Sequence, residues 1–230
     1  MFAGVEDLSR RQVLARLGGL LAGTLAAGRW GVRSFTGEAA ASGVVKCTLT
    51  PEQTDGPFYI AGEKVRRNIT ERRAGMPLRL RLKVVDASTC RPIKGAAVDI
   101  WHCDAGGVYS GFGGGAASRT FMRGIQLTDR NGVAVFDTVY PGWYRGRTVH
   151  IHVKVHVGGN VVHTGQLYFS DRLTDAVYKK APYSRRPRRD TRNATDAIYR
   201  NGGSRSRLAV RRRQNAAGYL GSITMGIRRS

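Results

Sequence analysis

The sequence predicts a mainly β domain built from antiparallel strands, and three observations carry that expectation. Thirty glycines in 230 residues, with few long apolar runs, fit a turn-rich chain better than a helical bundle. Residues 78–84 and 149–157 alternate apolar with polar or basic side chains at period 2, the pattern of strands with one buried face. Asp129-Arg-Asn-Gly132 separates two further strand-like runs and carries the strongest local turn signal in the chain.

Residues 1–41 read as an export signal rather than as part of the fold. Ser9-Arg10-Arg11-Gln12-Val13-Leu14 resembles the twin-arginine motif, an apolar Gly/Ala/Leu-rich run follows at 17–27, and Ala39-Ala40-Ala41 is a small-residue cleavage pattern. The apolar run is shorter than the roughly 20 residues a membrane span needs, so no transmembrane span is expected. Residues 42–230 are then one domain, exported to a periplasm, a cell wall or the outside. The formal charge of +22 is concentrated late, with thirteen arginines after residue 182. Without any nucleic-acid module, that charge implies solubility or general polyanion attraction, not specific nucleic-acid binding. Of Cys47, Cys90 and Cys103, an oxidising compartment allows one disulfide, for which Cys47 with Cys90 is a candidate.

Along the chain, Thr50-Pro-Glu-Gln-Thr-Asp-Gly-Pro-Phe-Tyr59 is an irregular arm broken by its prolines and glycine. Strands at 78–84 and 97–101, joined by the turn Ser88-Thr-Cys-Arg-Pro92, are expected to form a meander. A glycine-rich loop from Asp104 holds Tyr109 at a strand end. Strands at 121–128 and 133–136 are expected to pair across the Asn-Gly hairpin, and Pro141-Gly142 turns the chain toward the strand at 149–157. Gly158-Gly-Asn160 makes a hairpin to the strand at 161–169, residues 171–178 form a short helix, and the arginine-rich run 184–192 is an exposed loop. Final strands lie near 207–210 and 223–227.

His150 and His152, at i and i+2 on one strand, present two imidazoles on one face, a common way to offer a metal neighbouring ligands. The pair alone is equally consistent with a solvated strand face. Tyr109 and Tyr144 on adjoining loops favour a metal, because phenolate is a hard, electron-rich ligand suited to ferric iron and a bound cation favours the ionised phenol.

Five ordered motifs carry a family resemblance: the arm from Thr50 to Tyr59, Asp99-Ile-Trp-His-Cys-Asp-Ala-Gly-Gly-Val-Tyr109, Pro141-Gly-Trp-Tyr144, Arg147-Thr-Val-His-Ile-His152, and Gln166-Leu-Tyr-Phe169. Together they resemble the intradiol ring-cleavage dioxygenases of the catechol and protocatechuate type, in particular an exported branch. The resemblance implies an antiparallel β-sandwich of prealbumin or immunoglobulin-like type, with loops around non-haem Fe(III). It implies iron held by Tyr109, Tyr144, His150 and His152, with Tyr144 the ligand that leaves when substrate arrives. Arg147 matches the arginine beside the substrate ring, and Gln166 matches a glutamine near the oxygen-binding side. The substrate would be a catechol-type aromatic diol, opened by O2 between its hydroxyls to a muconate-type diacid.

The connection from Tyr144 to His150 is shorter than in the cytosolic enzymes, so substrate choice does not carry over. There is also no room for the N-terminal helical region that those dimeric enzymes use. Residue chemistry agrees with the assigned roles: a catechol must lose two protons to chelate, a released tyrosinate is a base, and Arg147 can stabilise developing negative charge. Asp55 and Tyr59 are expected to line the substrate pocket or to pack the arm, and His102 to hydrogen-bond ordinarily. Two other readings stay open: a cupin-like divalent-metal site using His150, His152 and His156, and a non-catalytic transthyretin-like binding sandwich.

Overall fold

Alternating leucines build the first strand of the computed structural model, which describes residues 47–228. The expected twin-arginine segment lies outside them. In β1 (Pro77–Asp86) Leu78, Leu80, Leu82 and Val84 are buried while Arg79, Arg81 and Lys83 face outward. Each such aliphatic burial is worth about 1.5–3 kcal/mol against an exposed side chain. The chain continues through β2 (Ala97–Trp101), β3 (Arg123–Leu127), β4 (Val133–Val139), β5 (His150–Val157) and β6 (Asn160–Tyr168). Helices α1 (Asp171–Tyr178) and α2 (Ala197–Arg200) precede β7 (Ala209–Arg212) and β8 (Tyr219–Ile227).

Two four-stranded sheets, ordered β4-β1-β8-β7 and β3-β2-β5-β6, enclose one apolar core. Leu80, Phe136 and Met225 enter it from the first sheet; Ile100, Ile151, Val153 and Leu167 enter from the second. The sandwich is as expected, with one parallel pair, β1 with β8, among antiparallel ones. Two connections differ from expectation. β1 and β2 lie in different sheets, so they form no meander. The Asn-Gly turn closes locally, Asp129 N–H donating to Val133 O at 3.0 Å, yet β3 and β4 also belong to opposite sheets. Turn chemistry fixes a reversal of direction; which partner buries each strand's apolar face is decided by the whole core.

β5 is buried on both faces. Val149, Ile151, Val153 and Val155 point into the inter-sheet core, and His150, His152 and Lys154 lie on the outer face beneath the arm. Gln53 N–H joins the arm to Thr164 O of β6 at 2.9 Å, and Gly56 lies against the His152 ring. Residues 64–69 cover the free edges of both β3 and β4 through bridges at Val65 to Ile125 and Asn68 to Asp137.

The β5–β6 hairpin turns on Gly158 and Gly159, both at positive φ, where a side chain would be strained. Ser170 caps α1 by accepting from Leu173 N–H. Cys47 and Cys90 form a disulfide and Cys103 is free and buried. The arginine-rich run is not simply exposed, because Arg189 is buried against Asp171 and Asp175 of α1 at 2.6 and 2.8 Å. Among the described residues no helix is long and apolar enough to cross a membrane.

Candidate metal centre

One row across the outer face of the second sheet runs Arg123, Trp101, His152, Gln166 in register. β5 adds His150 two residues before His152, and two loops bring tyrosines over the pair. Tyr109 comes from the glycine-rich loop after β2, and Tyr144 from the connection between β4 and β5.

Glycines let these loops meet. Gly142 N–H donates to Asp104 O at 2.9 Å, and a Cβ on Gly142 would lie 2.5 Å from Ala105 O. Reciprocally, a Cβ on Gly107 would lie 2.3 Å from Trp143 O. Asp104 shapes the Tyr109 loop by accepting from Gly106 and Val108 N–H at 2.8 and 3.0 Å, and is itself held by Arg73. Arg123, 1% exposed, donates to Ser110 O and Phe58 O at 2.7 Å each and so fixes the far side of the same loop.

The four expected ligands converge. Tyr144 Oη and His152 Nε2 each lie 3.0 Å from His150 Nε2. The Tyr109 ring is 5.6 Å from Tyr144 and 6.3 Å from His152, centroid to centroid. Phe58 stacks on Tyr109 at 4.2 Å and Trp101 on His152 at 4.9 Å, holding both rings in place.

His150 Nδ1 lies 2.6 Å from Thr148 O. A carbonyl only accepts, so Nδ1 carries the proton and Nε2 offers a lone pair. Burial, with Arg147 nearby, pushes the His150 pKa down to about 3; burial and His150 push that of His152 well down. Both imidazoles are therefore neutral at pH 7. Burial raises the phenols, Tyr144 to about 12 and Tyr109 well above its ordinary value.

This donor set fits a metal ion better than it fits itself. His150 Nε2 has one lone pair but two close neighbours, Tyr144 Oη and His152 Nε2. The buried Tyr109 hydroxyl and His152 Nδ1 have no hydrogen-bond partner of acceptable geometry, although Tyr109 lies close enough to Tyr144 for their charges to couple. A trivalent ion would take the imidazole lone pairs and stabilise both phenols as phenolates.

Arg147 and Gln166 meet beside these groups. Arg147 Nη2 donates to Gln166 Oε1 at 2.5 Å, and Gln166 Nε2 donates to Thr54 O of the arm at 2.9 Å. Asp55 and Tyr59 belong to the seam between arm and sheet. Asp55 pairs with Lys154 at 3.1 Å, while Tyr59 packs on Trp101 and beneath the Lys154 ammonium. Both residues thus pack the arm against the second sheet. His102 is hydrogen-bonded to Cys103 O and Thr138 Oγ1 at 2.7 and 2.8 Å, an ordinary structural use. His156 pairs with Ala97 past a bulge, four residues or about 13 Å of strand from His152, too far to complete a three-histidine site.

The family model described as Dioxygenase matches residues 54–188. A catechol 1,2-dioxygenase of Acinetobacter baylyi is 34% identical over 113 residues, covering 46% of this chain and 35% of that protein. The chain spans about a third of the length of the catechol 1,2-dioxygenases it matches. Among solved structures, an intradiol ring-cleavage dioxygenase from Tetranychus urticae superposes with a TM-score of 0.75 at 36% identity, covering 79% of this chain and 95% of that one. The dioxygenase domain of a carbohydrate-binding fusion protein from Streptomyces sp. SirexAA-E gives 0.61 at 30% identity, covering 80% and 100%.

Proposed function

The chain belongs to the intradiol ring-cleavage dioxygenases, and on that premise we propose that it opens a catechol-type aromatic diol between its two hydroxyls with O2, to a muconate-type diacid. The convergence of Tyr109, Tyr144, His150 and His152 beside an Arg147–Gln166 pair carries this reading. Those four side chains would hold Fe(III), which when bound activates the diol toward O2 as a Lewis acid.

The protein's own groups account for the rest. Tyr144 is the more exposed of the two tyrosines, and its oxygen would be the base that takes one catechol proton, the raised phenol pKa making it adequate for that role. Tyr109, walled in by Phe58 and Arg123, stays in place. His150 and His152 stay neutral and fixed. Arg147 stabilises the negative charge that develops on the ring, oriented by Gln166. We also propose export by the twin-arginine route, which carries folded, metal-loaded protein; fusing residues 1–41 to a reporter that needs this route tests it.

The deciding experiment is iron loading followed by a catechol panel with O2 uptake and product identification. A tyrosinate-to-iron visible band that shifts on adding catechol, with one O2 consumed per diol, is expected. Colourless iron-loaded protein, or extradiol products, would overturn the proposal.

A further inference from the structure

Arg147 is held by a residue that the site motifs do not contain. Asp196 is 1% exposed and its two oxygens have separate duties. Oδ1 accepts from Ile198 and Tyr199 N–H at 2.8 and 2.9 Å, capping α2. Oδ2 accepts from Arg147 Nε at 2.9 Å and from Thr148 N–H at 2.8 Å. The guanidinium is thus gripped on one side by Asp196 Oδ2 and on the other by Gln166 Oε1. Neighbouring atoms of the same segment hold the same loop: Asn193 Oδ1 accepts from Thr148 Oγ1 at 2.6 Å, Asp190 accepts from Gly146 N–H at 3.3 Å, and Arg186 donates to Trp143 O at 2.9 Å.

We infer that Asp196 is a positioning residue for ring cleavage, which aims the Arg147 guanidinium at the substrate, and that the arginine-rich segment 186–196 is the clamp that sets the Tyr144–Arg147 loop. A flexible arginine on a surface turn would spend rotamer freedom to reach a transition state. A buried carboxylate on one edge and an amide oxygen on the other remove that freedom before substrate binds. The inference rests on the proposed activity for its kinetic readouts and on geometry alone for the rest.

Asp196→Asn tests it, because an amide that keeps its oxygen on the α2 cap turns its NH2 toward Arg147 Nε–H and Thr148 N–H, donors facing donors. Iron content close to wild type is expected, with Tm lowered by the broken buried pair, KM little changed and kcat lowered about 10- to 100-fold. The same substitution in an Arg147→Ala background should cost nothing more, since both changes remove one function. Independently of turnover, the Arg147 Nε–H resonance of protein loaded with diamagnetic Ga(III) in place of iron, assigned by its loss in Arg147→Ala, should be protected from exchange in wild type and lose protection in Asp196→Asn. If the Asn variant melts too early to assay, Asp196→Ser keeps a capping oxygen and offers none to Arg147, and should show the same pattern.

Additive losses in the double variant, loss of iron along with activity, or wild-type kcat with wild-type protection would each overturn the inference. A wild type inactive on every catechol would instead overturn the proposed activity, and the exchange measurement would still decide whether Asp196 holds Arg147.

Discussion

Tyr109 carries a buried hydroxyl beside the Tyr144 phenol, and burial holds it protonated until a cation binds, whereas Arg147 is anchored by Nε–H to Asp196 and by Nη2–H to Gln166. Substitution should separate these duties. Tyr109→Phe and His152→Ala are expected to abolish iron retention and colour, measured by metal analysis and visible absorbance. Arg147→Ala should keep iron and colour while kcat falls about 100- to 1000-fold, the cost of losing one charge-stabilising donor. Asp99, on the outer face of β2, reports on stability instead. Its carboxyl is 1% exposed and neither oxygen finds good hydrogen-bond geometry. Burial lifts its pKa from 3.8 to about 7; the Tyr59 hydroxyl, Lys154 and Arg123 oppose the rise and Glu63 adds to it, while Asp55 faces it across Lys154. Between those two values the folded state holds a proton that the unfolded chain has lost, so stability falls as pH rises from about 4 to about 7 and then levels off. Asp99→Asn should remove that slope, gaining up to ~4 kcal/mol over wild type at pH 8 and almost nothing near pH 4. Denaturant melts at both pH values check it; an unchanged pH slope would contradict it.

At the scale of elements, the site depends on how closely two loops approach. Gly142→Ala adds one methyl where Ala105 O would stand 2.5 Å away, and should cost ~1–3 kcal/mol while forcing the Tyr144 loop off the Tyr109 loop. Lower Tm together with weaker iron retention is expected; a stable variant that retains iron normally would show that the loops can yield. This contact illustrates what the sequence could and could not convey. His150 and His152 were legible because a two-residue spacing on an alternating strand fixes a shared face without reference to anything else. The matching strands and α1 were legible for the same reason: their signals are periodic or local. Gly142 and Gly107 matter through particular carbonyls on another loop, a relation that leaves no periodic trace in the sequence. Asp196 reaches Arg147 across 49 residues from a stretch whose arginines suggest only an exposed surface. The motif match found the groups that gather at the candidate metal centre; the groups that hold them in place became visible only once the chain was folded.

At the scale of the whole molecule, local turn signals located the reversals but not the sheet that each strand joins, since β1 and β2, like β3 and β4, separate into opposite layers. That division is set by burying two apolar faces against each other, and it leaves the outer face of the second sheet to be covered by the arm. The arm begins at Cys47, whose disulfide to Cys90 fastens it to the turn after β1; it then bridges Leu49 to Gly226 and crosses to Gly56 and Phe58, which press on His152 and Tyr109. One covalent link therefore restrains a segment that closes over the candidate ligands. With a sequence separation of 43 between the cysteines, the chain-entropy model assigns the link about 4 kcal/mol. The Cys47→Ser, Cys90→Ser double variant, or wild type under reductant, should lose up to that amount and melt about 10 °C lower. Because the arm is the first segment released, iron retention should weaken at temperatures where the sandwich is still folded. Visible absorbance and far-UV circular dichroism followed on one heating ramp would show the colour lost before the strands, whereas coincident transitions in the reduced protein would mean that arm and sandwich unfold as one unit.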